Sequence, residues 1–416
     1  MKRRTPYHWP QKQRGLTLVL ITMSMAVFIG IAALSVDVSH LVVNKTRLQN
    51  AVDTIALAGA TVANRTYESA DTHSAVVAAY NKVLAAPGNT EIELSATEDG
   101  SSLNLLDIEY SDTPNSGFST TFPASTSDRI YVRVQVTDLA LTDFFLQIFG
   151  LSKEVSASAV AGPVFIDGTS NILPIGMCEG NDVGPSGYEV GKVYEIKTGS
   201  QSDDPDGLGA GNFHLLDVGS GKSSVSDALV GKNTVVVSVG DDIDSEPGNA
   251  VGPTTSIDTR FDGGTVDSVY YPPDISTTEP SPAITTDNID AYNALADVDK
   301  WSYTDYATTT NDCLEDSNCI SSSAVAWRRV LPVPILDCDS ASKSGGKIEF
   351  TVTSIGCFFM SQRYSSSSSK GKKGQQSIFG EFIEICTVTD GGASNTDTGI
   401  SRIVLFKDPN SVGGGS

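Results

Sequence analysis

Four histidines, His8, His40, His73 and His214, are the only imidazoles in this 416-residue chain, so any acid–base site at neutral pH has few candidates. His8 lies in a basic tail. His40 and His73 fall on predicted helices with no nucleophile motif nearby, and His214 in GNFHLLD sits among strand-core residues Phe213, Leu215 and Leu216. A Ser/His/Asp hydrolase would have to use His214, with no nucleophile elbow to present the serine. Lys197-Thr198-Gly199 and Ser340-Ala341-Ser342-Lys343 match two short motifs of penicillin-binding enzymes, but in reversed order. Residues 216–223, LDVGSGKS, end like a phosphate loop. They have Leu216 where the first glycine belongs, and read as a glycine turn between strands.

Carboxylates cluster twice, at Asp203, Asp204 and Asp206 in DDPDG, and at Asp241, Asp242, Asp244 and Glu246. With Asp204, Asp206 and Gly207 at loop positions three, five and six of an EF-hand, the twelfth position is Phe213 rather than glutamate. These clusters therefore read as solvated acidic turns, and neither a metal nor a cofactor is expected. The six cysteines, Cys178, Cys313, Cys319, Cys338, Cys357 and Cys386, have no CxxC spacing and no histidine beside Cys313 or Cys319. Their even number favours disulfides in an exported domain; six cysteines allow 15 pairings, and spacing alone selects none. The reading is of a non-enzymatic protein.

The elements that carry these residues start with a membrane segment. Gly15 to Val36 contains no charge and as a helix spans about 33 Å, enough for a hydrocarbon core of about 30 Å. Thr17, Thr22, Ser24 and Ser35 are tolerable there because their hydroxyls can bond back to the helix backbone. Lys2, Arg3, Arg4, Lys12 and Arg14 precede the segment with no acid among them, and Asp37 follows it. The positive-inside rule puts residues 1–14 in the cytoplasm and the remainder across the membrane. The apolar run exceeds a signal-peptide h-region and its helical pattern continues past the small residues at Ala33 and Ser35, as in a retained anchor. A net charge of −22 argues against a nucleic-acid partner.

Beyond the span, Leu34, Leu41, Leu48, Ile55 and Val62 recur every seven residues, with Val38, Lys45, Val52 and Gly59 at the intervening steps. Leu41, Leu48, Val52, Ile55 and Gly59 are the candidate helix-packing residues. Their stripe can face another helix or the chain's own sheet. A second helix is expected over 68–85, stopped by Pro87-Gly88. Strands are expected at 91–96, 103–110, 129–136 and 155–165, with a short apolar helix or turn over 139–150. The fold class is α+β. A transmembrane helix (15–36) continues into a long helix packed on a small antiparallel sheet (37–165), and a β-rich disulfide-containing domain follows (166–412). Strands there are expected at 192–197, 234–239, 348–353, 379–388 and 402–406. Residues 361–376, with Arg363, Lys370, Lys372 and Lys373, read as a solvated loop, and residues 413–416, GGGS, resemble a linker.

ALSVDVSHLVVNKTRLQNAVDTIALAGA (33–60), following a charge-free span preceded by Arg14-Gly15, resembles the N-terminal region of TadG-like proteins of the bacterial Tad (Flp) pilus machinery. Asp37-Val38, Leu48-Gln49-Asn50-Ala51 and Ala58-Gly59-Ala60 carry the match, with weaker echoes at 211–219, 245–262 and 328–338. The resemblance implies a structural or scaffolding envelope component of pilus assembly and tight adherence. It would be anchored in the inner membrane with its bulk in the periplasm, and partnered by pseudopilins, platform proteins or pilus subunits. Alternatives are a minor pseudopilin that enters the fibre, or a surface adhesin with calcium-stabilised loops. Counting from Leu16, the fifth residue is Leu20, where processed pseudopilins carry glutamate.

Overall fold

The structure, a computed structural model, describes residues 14–92, 106–123, 129–197, 215–219, 221–232, 235–248, 250–315, 323–344, 346–364, 376–383, 386–388, 391–394 and 397–408. Residues 1–13 of the basic tail with His8, and His214, Asp203, Asp204, Asp206, Cys319, Lys370, Lys372, Lys373 and residues 413–416, lie outside the described residues.

One helix, α1, runs unbroken from Arg14 to Thr66. Its hydroxyls behave as side chains do in apolar surroundings. Thr22 donates to the Leu18 carbonyl (3.1 Å), Ser24 to Ile21 (3.0 Å) and Ser35 to Ile31 (2.8 Å). The helix stops where Tyr67 takes a left-handed backbone (φ 54°), and α2 (Ser69–Leu84) folds back against it. Both lie on a five-stranded sheet built from β1 (Leu106–Ser111), β2 (Tyr131–Leu141) and β3 (Lys153–Phe165) as an antiparallel meander. Leu48, Val52, Ile55, Ala56, Ala60, Val76, Val132, Val134 and Ala159 form the core between helices and sheet. Gly59 sits where a Cβ would come 2.9 Å from Val76 and 3.3 Å from Val132, so the absence of a side chain lets α1 approach both α2 and β2.

The second sheet runs β4 (Met177–Cys178), β6 (Val330–Ser344), β7 (Lys347–Met360), β8 (Ile378–Ile383) and β5 (Val193–Lys197) in that spatial order. Its core is Ile175, Leu331, Val333, Ile335, Phe358, Met360 and Phe382. The helices of this half include α3 (Lys222–Leu229) and α4 (Tyr303–Glu315), and α4 reaches back to touch α1 and α2.

Several elements differ from expectation. The segment expected to be a strand from residue 91 opens as a tight 3-10 turn, Thr90–Ile92, and its remainder lies outside the described residues. Residues 139–141 extend β2, leaving only Leu146–Phe149 as a 3-10 turn closed by Gly150. The glycine turn at 219–221 leads into α3 rather than a strand. The chain also crosses the expected boundary at residue 166. Its last strand, β10 (Ile400–Phe406), pairs antiparallel with β3, and β9 (Cys386–Thr387) adds a parallel edge beside it. The first sheet is thus completed by the C-terminus. Gly399 makes this return: a Cβ there would lie 2.1 Å from the Ile355 carbonyl, and its φ is 83°.

Disulfides reinforce both arrangements. Cys178–Cys338 joins β4 to β6 within the second sheet, and Cys357–Cys386 joins β7 of the second sheet to β9 of the first. Cys313, on α4, is also disulfide-bonded.

Candidate functional site

The candidate functional element is α1, which has two environments along one helix. From Leu18 to Val36 its large apolar side chains are exposed, and it is the one helix among the described residues long and apolar enough to cross a membrane. From Asp37 onward one face is buried against the chain's own fold. The buried line is Asp37, Asn44, Leu48, Val52, Ile55, Gly59 and Ala63, with Leu41 half-buried beside it. Of the sequence-nominated packing residues, Leu48, Val52, Ile55 and Gly59 therefore meet β2, β3 and α2. Leu34 and Val38, from the same seven-residue pattern, face outward. Leu34 shares a face with Val52, about five turns on, but precedes Asp37, where the head begins to cover the helix, and Val38 lies at the flank of that face.

Three polar side chains fasten this helix to the sheet at successive heights. Asn64 accepts from the Ile130 amide (2.9 Å) and donates to the Ile130 carbonyl (2.7 Å), bonding the entry to β2 as a neighbouring strand would. Gln49 donates to the Ser158 carbonyl on β3 (2.9 Å). Asp37, fully buried, accepts amides from Phe144 (3.1 Å), Phe145 (2.8 Å) and Leu146 (2.9 Å), and pairs with the buried Lys153 ammonium at 2.8 Å. Helix positions 64, 49 and 37 therefore map in order along the β2–β3 hairpin toward its tip.

At that tip a chain of polar groups closes the junction. The Lys153 ammonium also reaches His40 Nδ1 (3.2 Å), which makes that nitrogen the acceptor and leaves Nε2–H to donate to Glu91 (2.5 Å). Asn44 donates to the same Glu91 oxygen (2.9 Å). Burial alone would raise the Asp37 carboxyl. The Lys153 ammonium and the amides of Phe145, Phe144 and Leu146 outweigh it and bring the pKa down to about 2. Glu91 is likewise held below its ordinary value against burial by Thr142, His40 and Asn44. The histidine here links the Asp37–Lys153 ion pair to the Glu91 carboxylate.

On the outer side of α1, a groove of about 580 Å³ opens between α1, α2 and α4, lined mainly by Leu57, Ala58, Val62, Ala75, Ala79 and Leu314. The other nominated residues stay apart. Lys197 is buried on β5 with its pKa pushed down to about 8 by burial, partly offset by Glu195. Lys343 pairs with Ile348 at the far end of the same sheet, while Lys197 lies near the Met360 end. Ile348 and Met360 are separated along β7 by about 40 Å of strand. Asp242 accepts from Thr351 (2.8 Å), and Lys347 pairs with Asp217 (2.5 Å) and Asp244 (3.6 Å). Among the described residues, no group of three or more His, Cys, Asp or Glu side chains is arranged to hold a metal ion.

Sequence reasoning missed the burial of Asp37. The available signal was a carboxylate at the first position after an uncharged span, in phase with Leu48 and Val52; its cation, Lys153, lies 116 residues away. Comparison with known proteins picks out the same helix. Residues 15–62 match the family model Tad, "Putative Flp pilus-assembly TadE/G-like". No curated protein and no solved structure matches the chain. The matched segment begins with the apolar span and ends four residues before α1 does, covering Asp37, Gln49 and the packed stripe. In that segment the chain is similar to TadE/G-like Flp pilus-assembly proteins.

Proposed function

We propose that this protein is a non-enzymatic, membrane-anchored structural component of a Tad (Flp) pilus assembly machinery, with residues 1–14 in the cytoplasm, α1 crossing the inner membrane and the bulk in the periplasm. The observation that carries the reading is the division of α1: an exposed apolar stretch of membrane length passes directly into the spine of a folded head, within the segment matched to the family. Bonded cysteines in the head suit an oxidising compartment. The basic flank before the span gives the orientation.

The partner face we assign is the α1–α2–α4 groove. Its alanines allow close backbone approach, and its apolar lining suits another helix. The partner would be a pseudopilin, an inner-membrane platform protein or a pilus subunit. A photo-crosslinking residue at Ala58 or Ala75 in the full chain, activated in intact envelopes, tests this. Adducts with other pilus proteins are expected from Ala58 and not from the sheet-facing Ile55. Adducts at neither groove position, in cells that assemble pili, would contradict the assignment.

A minor pseudopilin would share the same helix. N-terminal sequencing of the mature protein discriminates: a start at Leu16 favours incorporation into the fibre, and an uncut basic segment favours the anchored scaffold.

A further inference from the structure

The β2–β3 tip that wraps Asp37 also carries an apolar surface the anchor alone does not need. Phe145 is 40% exposed, Ile148 74% and Leu151 57%, all within one eleven-residue connection between Leu141 and Lys153. Exposed side chains of this size usually mark a contact surface when they cluster.

Position identifies what they contact. The fasteners at Asn64, Gln49 and Asp37 run down α1 in register with the hairpin, so the tip is the end of the head nearest the apolar span. Asp37 bonds three tip amides and is the first residue after the charge-free stretch. A helix beginning at Gly15 reaches Asp37 after about 33 Å, just beyond a hydrocarbon core of about 30 Å. The tip therefore stands at headgroup level. On other faces of α1, Val38 is exposed at this height, and Val42 and Val43 are exposed about 7–9 Å farther along. Several polar groups of the tip are bonded within the chain: Asp143 accepts from the Lys153 amide (3.0 Å), Thr142 bonds Glu91, and the Asp37 carboxylate takes the amides of residues 144–146, while Gln147 and Ser152 stay exposed.

We propose that the 142–151 tip inserts Phe145, Ile148 and Leu151 into the headgroup layer of the bilayer that α1 crosses, giving the head a second point of attachment that fixes its tilt and rotation. This rests on the reading of α1 as a membrane anchor. A single helix leaves a head free to swivel about its axis; a second contact on one side of it removes that freedom. The hydrogen-bonded chain from Asp37 through Lys153 and His40 to Glu91 then serves as the stiff joint between the two attachments.

The test uses the full chain reconstituted into vesicles of phosphatidylcholine and phosphatidylglycerol. An environment-sensitive fluorophore is attached through Ile148→Cys, Phe28→Cys or Val298→Cys, with unmodified protein as the labelling blank. Quenchers are nitroxides carried on the lipid headgroup or deep on the acyl chain. The expected result is loss of fluorescence at Ile148 to the headgroup nitroxide, loss at Phe28 to the deep nitroxide, and none at Val298, which is on the second half of the chain and 91% exposed. Leu151→Cys should repeat the Ile148 result, guarding against a local distortion. Quenching at Phe28 with Ile148 and Leu151 no more affected than Val298 would overturn the proposal, leave the anchor intact and assign the tip to a protein partner. No quenching at Phe28 would overturn the anchor reading and the insertion with it.

Discussion

Asp37 stands one residue beyond the lipid-length stretch and is shielded from water, a position a carboxylate can hold only with donors supplied in full. Four donors meet it, three amides and Lys153. Removing one partner strands the other, so Asp37→Asn and Lys153→Met should each lower the melting temperature of the detergent-solubilised protein. The double variant Asp37→Asn/Lys153→Met should lose less than the two single losses combined; strict additivity would show that the pair is not coupled. The pH dependence follows from the lowered carboxyl. Asp37 moves from an ordinary 3.8 to about 2 on folding, so its contribution is complete above about pH 4 and lost as pH falls through 2. Between about pH 4 and 2 the melting temperature of the parent should therefore fall more steeply than that of Asp37→Asn, which has no such carboxylate to protonate; equal slopes would contradict this. The sequence marked Asp37 as the end of a span but held no sign of its partners, which arrive only when the hairpin folds back.

Among the elements, those with uninterrupted patterning were readable and those whose signals conflict were not. The charge-free run and its continuation gave α1 whole. RIYVRVQV alternates cleanly and forms β2, and Pro87-Gly88 does stop the chain soon after α2. By contrast β6, the fifteen-residue strand beside the central β7 of the second sheet, contains Pro332 and Pro334, which remove two ladder donors and hide its strand character. Helix α4 is rich in threonine, and its start was marked only by Ser302 and Asp305. The Ser302 amide and hydroxyl both donate to the Asp305 carboxylate, at 2.9 and 2.7 Å. The packed stripe of α1 was legible as apolar spacing but not as to what it faced, since a seam for a sheet and a seam for a helix share the same period. Leu48→Ala, at a site 1% exposed, should cost about 2–5 kcal/mol in chemical denaturation. A loss below about 1 kcal/mol would mean the helix is not the spine of the head. Replacing Cys357 and Cys386 by serine opens a loop of 29 residues and should cost about 3–4 kcal/mol; a smaller loss confined to the second sheet would show that the two sheets are held together without it.

For the whole molecule, the chain's return through β10 makes the two sheets one interdependent head. A fragment ending at Phe165 leaves the edge of β3 from Val160 to Phe165 without the strand that covers it. Residues 37–165 expressed alone should therefore aggregate, and a monomeric fragment with dispersed amide resonances would contradict the shared sheet. A rigid head on a continuous helix suits a scaffold that must present a defined face at a set height above the bilayer. That role depends on α1 lying in the lipid with the head outside the cytosol. The most direct measurement is protease added to intact spheroplasts, followed by carbonate extraction of the membranes. Digestion of the head, with a short apolar remnant retained in the membrane pellet, is the predicted result. A head that stays protected until the spheroplasts are lysed, or a full-length chain released by carbonate, would contradict it.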